Sequence, residues 1–413
     1  MRLFPRIFAL FIVLLAAACQ PNAPAATPTS APAPKPTAAP TAAPAAAAAA
    51  SPAASPAAAS PASPSPASAP AASPVASPSP AAAGAAPKPL QKPNFDEQAV
   101  ATFYRGKTVT IVVGYTPGGG YDEYARFLSR SIGRYIPGNP TIIVQNQPGA
   151  GSMLAANTLF NASPKDGTVF GTFARGLPAE ELLGSEGVQY KSAQFNWIGS
   201  MNDEVSICIA RTDAPVKKFE DLYTMPLKIG GTGPGADTDF FPKFLNGLLG
   251  TKFDLATGYP GGNDINVAME RGEVQGRCGF SYSSLISTRP QWITDKFITI
   301  LVQMSLNKHP DLPSVPLVTD LARNAEERQL MRVVFSRQTM GRPFAAPPGV
   351  PADRVAALRY AFDQTMRDPQ FMAEAQQAKL EVNPAGGTDL QQIVQDVLAT
   401  PPDLARKLAD LVK

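Results

Sequence analysis

Apolar positions between residues 97 and 413 fall into two alternating patterns. Short β-branched runs read as strands: ThrValThrIleValVal at 108–113, ThrIleIleValGlnAsn at 141–146, ThrValPheGlyThrPhe at 168–173 and ValSerIleCysIleAla at 205–210. LeuLysIleGlyGly at 227–231 and the run from Phe297 to Val302 extend the series. Apolar residues at helical spacing separate these runs, predicting helices over Glu123–Tyr135, Met153–Leu159, Phe240–Leu249 and Ile265–Arg271, with Gly272 as a C-cap. Pro351–Arg367, Leu390–Ala399 and Asp403–Val412 read as helices near the C-terminus, the first opening on ProAlaAsp. A βαβαβ succession predicts a parallel sheet covered on both faces. The 297–302 strand is expected to return to the first unit.

Glycine-rich segments interrupt the pattern at strand ends in both halves. Gly118, Gly119 and Gly120 follow the first strand. ProGlyAlaGlySer occupies 148–152, GlyGlyThrGlyProGlyAlaAspThrAsp 230–239 and GlyTyrProGlyGlyAsnAsp 258–264. Bare N–H groups at a helix start attract anions, since they lack intrahelical partners and the helix dipole is positive there. In open α/β sheets ligands bind beyond the carboxyl ends of the strands. Two lobes presenting such loops to each other form a cleft that closes over an anionic group.

The N-terminus has a different character. Arg2 and Arg6 precede an apolar run from Ile7 to Leu15, and AlaAlaAlaCys follows at 16–19. This is a secretory signal peptide over 1–19, and it resembles a bacterial lipoprotein signal in which Cys19 is lipidated. Several acyl chains on one residue anchor a protein stably. Residues 20–92 are almost entirely Ala, Pro and Ser, a composition that buries too little apolar surface to fold and predicts a disordered tether. The remainder is long enough for two lobes. The formal charge of +3 falls to near neutral without Arg2 and Arg6, and no basic run is interleaved with aromatics, so nucleic acid is not an expected partner. Cys208 and Cys278 lie in strand-like runs. In an oxidising compartment they either pair or remain two separate buried thiols.

Catalytic and cofactor motifs are missing. The chain has one histidine, His309, before a proline in a polar stretch, and lacks GxSxG, HExxH and CxxC. No Lys follows a glycine cluster as a phosphate-binding loop requires, and GlyGlyThrGlyProGly lacks dinucleotide-fingerprint spacing. No cofactor, metal or enzymatic activity is expected. A binder needs only donors preset in a closable cleft.

IleValValGlyTyrThrProGlyGlyGlyTyrAsp, AsnGlnProGlyAlaGlySer and ProLysAspGlyThrValPhe, in that order, resemble the substrate-binding proteins of tripartite tricarboxylate transporters, the TctC or Bug family. The similarity continues through residues 258–276 and 345–354 and covers about 97–413. The resemblance implies a type II-like periplasmic-binding fold, two α/β lobes joined by crossover strands. Residues 93–207 with 301–413 would form one lobe and 208–300 the other. It implies extracytoplasmic capture of a di-, tri- or aromatic carboxylate by a monomer and delivery to a permease of one large and one small membrane subunit. The alternative is a sensor presenting the same solute to a signalling receptor. The family's carboxylate is held mainly by loop backbone and ordered water. Its first loop maps to Thr116, Pro117, Gly118, Gly119, Gly120, Tyr121 and Asp122. The second maps to Gly149, Ala150, Gly151 and Ser152, and the opposing loop to Thr232, Gly233, Pro234, Gly235 and Ala236. This last loop departs from the family's serine-rich form: Pro234 has no N–H, and Asp237 follows.

Single residues carry paired readings. Tyr115 walls the cleft or packs beside the strand end. Asp122 meets a ligand hydroxyl or favours the helix start. Arg175 offers a bidentate carboxylate partner or is a solvated loop residue. Tyr259 and Ser281, with Tyr282, are candidates from the second lobe, and Arg337 is a less defined one.

Overall fold

The structure, a computed structural model, describes residues 92–413. The expected signal peptide with Cys19, and the tether up to residue 91, lie outside the described residues. Eleven strands are formed among the described residues: β1 (Thr108–Val113), β2 (Thr141–Asn146), β3 (Val169–Thr172), β4 (Asn196–Ser200), β5 (Ser206–Arg211), β6 (Leu227–Gly230), β7 (Phe253–Ala256), β8 (Gly276–Ser281), β9 (Ile298–Met304), β10 (Pro343–Ala346) and β11 (Ala385–Gly386). They make one sheet of order β11-β4-β10-β3-β1-β2 and another of order β7-β6-β8-β5-β9.

In the first sheet, β1 buries Val109, Ile111 and Val113 completely. It runs parallel to β2 from Thr108↔Thr141 and to β3 from Thr110↔Val169. The sheet is not wholly parallel as expected. β10 enters antiparallel between β3 and β4, because the chain comes back from the second lobe at that point. Pro343 occupies the first position of this strand, where a missing N–H is tolerated. Tyr104, Phe170, Trp197, Phe344 and Phe362 fill the core beneath.

The second sheet has apolar clusters on both faces, one around Phe241, Phe244 and Phe335, the other around Ile207, Phe280 and Trp292. β9 belongs here rather than to the first lobe. It pairs with β5 from Ser206↔Met304 to Arg211↔Ile298 and buries Leu301, Val302 and Met304 in this core. Cys208 and Cys278 face each other where the β5–β8 register shifts, and their sulfurs are bonded. Two segments join the lobes, 201–205 and 336–342, and they hydrogen-bond to each other: Met201 N to Arg342 O at 3.2 Å and Glu204 N to Gln338 O at 2.9 Å. The last helix, Pro402–Leu411, crosses again and sets Leu404, Leu408 and Leu411 against the second core.

Candidate functional site

β1 stops at Val113, and the chain turns through Tyr115 and Thr116 into the helix Gly120–Ser129. Asp122 fixes this turn. Its carboxylate accepts from Gly118 N at 2.9 Å, Arg126 Nε at 2.9 Å and Asn146 Nδ2 at 2.8 Å. Burial opposes its ionisation, but these donors outweigh burial and hold the carboxyl below its usual range. With Asp122 so occupied, the N-terminal amides of the helix receive no side-chain cap. Two helices of the second lobe begin the same way, Asp237–Leu249 after Ala236 and Gly262–Glu270 after Gly261, neither with a side-chain cap.

These helix starts line one cavity between the lobes. Its wall includes Tyr115, Gly119, Gly120, Tyr121, Arg175, Thr232, Ala236, Asp237, Thr238, Gly262, Arg277, Ser281, Ser284 and Arg342. Its free interior is about 50 Å³, room for a few water-sized groups, so any larger ligand needs the lobes to part. The approach of the lobes depends on glycine. A Cβ at Gly120 would collide with Ser284 Oγ, and one at Gly262 would lie 2.6 Å from Arg277 Nη2.

Three guanidiniums face this cavity. Arg175 is pinned: Nε to Asp237 at 2.8 Å, Nη1 to Gly341 O at 2.7 Å, Nη2 to Ser206 and Ser281 hydroxyls at 3.2 Å. Burial works against its charge, but Asp237 more than compensates and raises its pKa further. Arg342 lies 3.2 Å from Glu204 Oε2 with both side chains essentially inaccessible. It also donates to Ser281 Oγ at 3.0 Å and Ser284 Oγ at 2.7 Å, and its guanidinium sits 4.9 Å from the rings of Tyr121 and Tyr124. Arg277 makes no ion pair among the described residues: Nη1 donates to Gly262 O and Asn266 Oδ1, both at 2.9 Å, and the group lies 4.1 Å from the Phe280 ring centre. Burial brings it down to about 9, so it remains cationic at neutral pH. The cavity wall therefore carries one guanidinium more than Asp237 and Glu204 balance.

Direct contacts close the mouth. Thr116 Oγ1 donates to Asp264 Oδ2 at 2.6 Å, Gly151 N to Thr232 O at 2.9 Å and Ser287 Oγ to Glu123 Oε2 at 2.8 Å.

Of the residues singled out in the sequence, the cavity gathers Tyr115, Gly119, Gly120, Tyr121, Arg175, Thr232, Ala236 and Ser281. Thr116, Pro117, Gly118, Asp122, Gly149, Ala150, Gly151, Ser152, Gly233, Gly235 and Tyr259 are not on its wall. Several of these shape it instead. Ser152 Oγ accepts from Ala174 N at 2.7 Å, and Tyr259 N donates to Gly231 O at 3.0 Å. Arg175 is neither a solvated residue nor a free fork, since all its nitrogens are engaged by protein. Arg337 lies behind the wall, 3.9 Å from the Phe240 ring centre. His309 pairs with Glu381 at 3.1 Å, away from the cavity wall. Arg277 and Arg342 escaped sequence reasoning. The available signal was an ionisable residue inside the otherwise small and apolar strand GlyArgCysGlyPhe.

Two α/β lobes on a paired crossing, closed over a cavity rimmed by helix N-termini, define a solute-binding protein of the periplasmic kind. The chain belongs to the TctC family, the tripartite tricarboxylate transporter family receptors, whose profile matches residues 129–409. A UPF0065 protein of Pseudomonas sp. (strain P51), from the tcbD-tcbE intergenic region, is 26% identical over 322 residues, spanning 74% of this chain and 86% of that protein. A UPF0065 protein of Cupriavidus necator is 23% identical over 297 residues, 70% and 82% of the two chains. The structure of the periplasmic binding protein BugD has TM-score 0.61 at 22% identity, covering 75% of this chain and 98% of its own. MatC from Rhodopseudomonas palustris with bound malate has TM-score 0.58 at 19% identity, covering 74% and 99%. An R. palustris protein with adipate has TM-score 0.59 at 17% identity, covering 73% and 97%. At these identities the structural likeness establishes the fold. The family consists of substrate-binding proteins, not enzymes. Among the described residues no helix is long and apolar enough to cross a membrane.

Proposed function

We propose that the protein captures a small organic carboxylate (a di-, tri- or aromatic acid) in this cavity and delivers it to a permease of one large and one small membrane subunit. In this reading Cys19 carries a lipid anchor, the Ala/Pro/Ser-rich segment acts as a tether, and the protein works outside the cytoplasm as a monomer. The ligand lies against the first-lobe loop around Gly119–Tyr121 and the opposing loop at Thr232–Ala236. The observation that carries the proposal is electrostatic: three uncapped helix starts and an unbalanced guanidinium converge on one closed cavity. Each favours negative charge, and together in a water-poor space they favour it strongly. Malate in MatC and adipate in the other R. palustris protein are acids of the same chemical class.

A thermal-shift panel of aliphatic and aromatic mono-, di- and tricarboxylates, neutral sugars and organic cations on the purified protein tests this. A ligand present at 100 times its dissociation constant stabilises by about 2.7 kcal/mol. Stabilisation by a sugar or a cation, with none by any carboxylate, refutes the proposal.

A further inference from the structure

Among the described residues, Arg277 is the one guanidinium on the cavity wall that no carboxylate balances. Arg175 has Asp237 and Arg342 has Glu204. Arg277 is 8% exposed, and among the described residues its side chain hydrogen-bonds from Nη1 to neutral oxygens. Among the described residues Nε is buried without any partner, and the side chain's hydrogen bonds leave from Nη1, not Nη2. Nε and Nη2 form the side edge of the guanidinium, the edge a carboxylate engages with two parallel hydrogen bonds. The surroundings add positive potential: Gly262, against which the group packs, begins a helix without a side-chain cap. Besides burial, Arg342 and Arg289, both cations, lower the pKa of Arg277. A buried charge without a counter-charge is strongly unfavourable, so its retention on the wall of a binding cavity calls for a partner that arrives with the ligand.

We infer that Arg277 forms a direct, two-bonded ion pair with one acid group of the ligand, while the uncapped amides of the Gly120–Ser129 helix take a second. The ligand class is then a dicarboxylate or larger polyacid in preference to a monocarboxylate. This rests on the reading of the cavity as a carboxylate site. It differs from the family resemblance in placing a salt bridge where backbone and water would otherwise suffice.

The test is titration calorimetry on the full chain, wild type, Arg277→Gln and Arg277→Lys, each with a dicarboxylate that binds and with its mono-amide. In the wild type the mono-amide binds on the order of 100-fold more weakly. Arg277→Gln weakens the dicarboxylate by a similar factor and leaves the mono-amide nearly unchanged, and Arg277→Lys falls between. Without ligand, Arg277→Gln melts no lower than wild type, since removing an unpaired buried charge offsets the loss of the two Nη1 hydrogen bonds, whereas a merely structural arginine would lower the melting point. If wild type and Arg277→Gln bind the dicarboxylate equally, the ion pair is refuted while the carboxylate site stands. If wild type binds no carboxylate at all, both fall. Should Arg277→Gln fail to fold, the wild-type preference for dicarboxylate over mono-amide decides: equal affinities overturn the inference.

Discussion

Replacing Glu204 by Gln removes the counter-charge of Arg342 at the point where the two joining segments meet. Neither side chain exceeds 1% exposure, and Glu204 Oε2 lies 3.2 Å from Arg342 Nη2 and 2.6 Å from Ser283 Oγ. A Gln whose oxygen takes the Oε2 position keeps the acceptor for Ser283 and faces Arg342 without a charge, while its NH2 replaces Oε1, which accepts from Val205 N and Ser283 N. The guanidinium is left with three serine hydroxyls and no counter-charge. Breaking one side of a buried pair costs about 3–5 kcal/mol, because the remaining charge stays desolvated. The serines and the Tyr121 and Tyr124 rings soften that loss, which places the expectation at about 3 kcal/mol. At about 2 °C per kcal/mol for a folded unit of this size, the midpoint of thermal unfolding drops by about 6 °C. Urea unfolding of Glu204→Gln, Arg342→Met and the double variant measures it. The double variant should recover much of the loss, since the cost lies in the uncompensated charge. A single-variant cost below about 1 kcal/mol, or strict additivity in the double variant, refutes the reasoning.

Thr116→Val removes the 2.6 Å contact to Asp264 that joins the lobes at the mouth. The loss of one neutral-to-charged hydrogen bond, about 1.5 kcal/mol, should speed ligand release roughly tenfold in stopped-flow measurements with little change in ligand-free stability. Cys208 and Cys278 close a loop with a sequence separation of 70, so Cys208→Ser with Cys278→Ser should cost about 4 kcal/mol by the chain-entropy relation, read by urea unfolding with and without reductant. Asp363 is pushed up to about 6 by burial, only partly offset by Arg367 and Arg359. A carboxyl whose folded pKa lies above its unfolded value favours folding fully below the unfolded pKa and loses that contribution as pH rises to about 6. Asp363→Asn should therefore raise the melting point at pH 7–8 and leave it nearly unchanged near pH 4.

Much of the first lobe was legible because its strands are continuous β-branched runs. The 108–113 and 141–146 segments needed no long-range information. β7 and β10 were not legible: PheAspLeuAla and ProPheAlaAla are short, poor in β-branched residues and, in β10, headed by proline. β9 was visible as a strand, but periodicity does not name a partner, and its pairing with β5 rather than the first sheet is a long-range property. The same limit applied to the site. Glycine loops announced backbone donors, so Gly119, Gly120 and Thr232 could be foreseen. Arg342 could not, since its position depends on the return crossing into an unrecognised strand. Arg175 looked like a ligand fork in isolation, and only the fold brings Asp237, Ser206 and Gly341 to occupy it.

The contacts between the lobes are unequal, and this decides how the cavity opens. At the crossing, the Glu204–Arg342 pair and two backbone hydrogen bonds join the connecting segments themselves. Beside them the buried Arg175–Asp237 pair links the two lobes, with Arg175 also held by Gly341 O and Ser206. At the mouth, closure depends on Thr116 to Asp264, Gly151 to Thr232 and Ser287 to Glu123. Each mouth contact contributes only about 0.5–1.5 kcal/mol net, or somewhat more where a carboxylate accepts, because water replaces it when the lobes part. Opening therefore swings about the crossing rather than separating it, as in hinge closure around a ligand. Closure without ligand brings the charge of Arg277 into a desolvated space with no anion to meet it. In the proposed reading, closure with a carboxylate removes that penalty, and the difference between the two is the free energy by which a bound acid shifts the lobes toward the closed state.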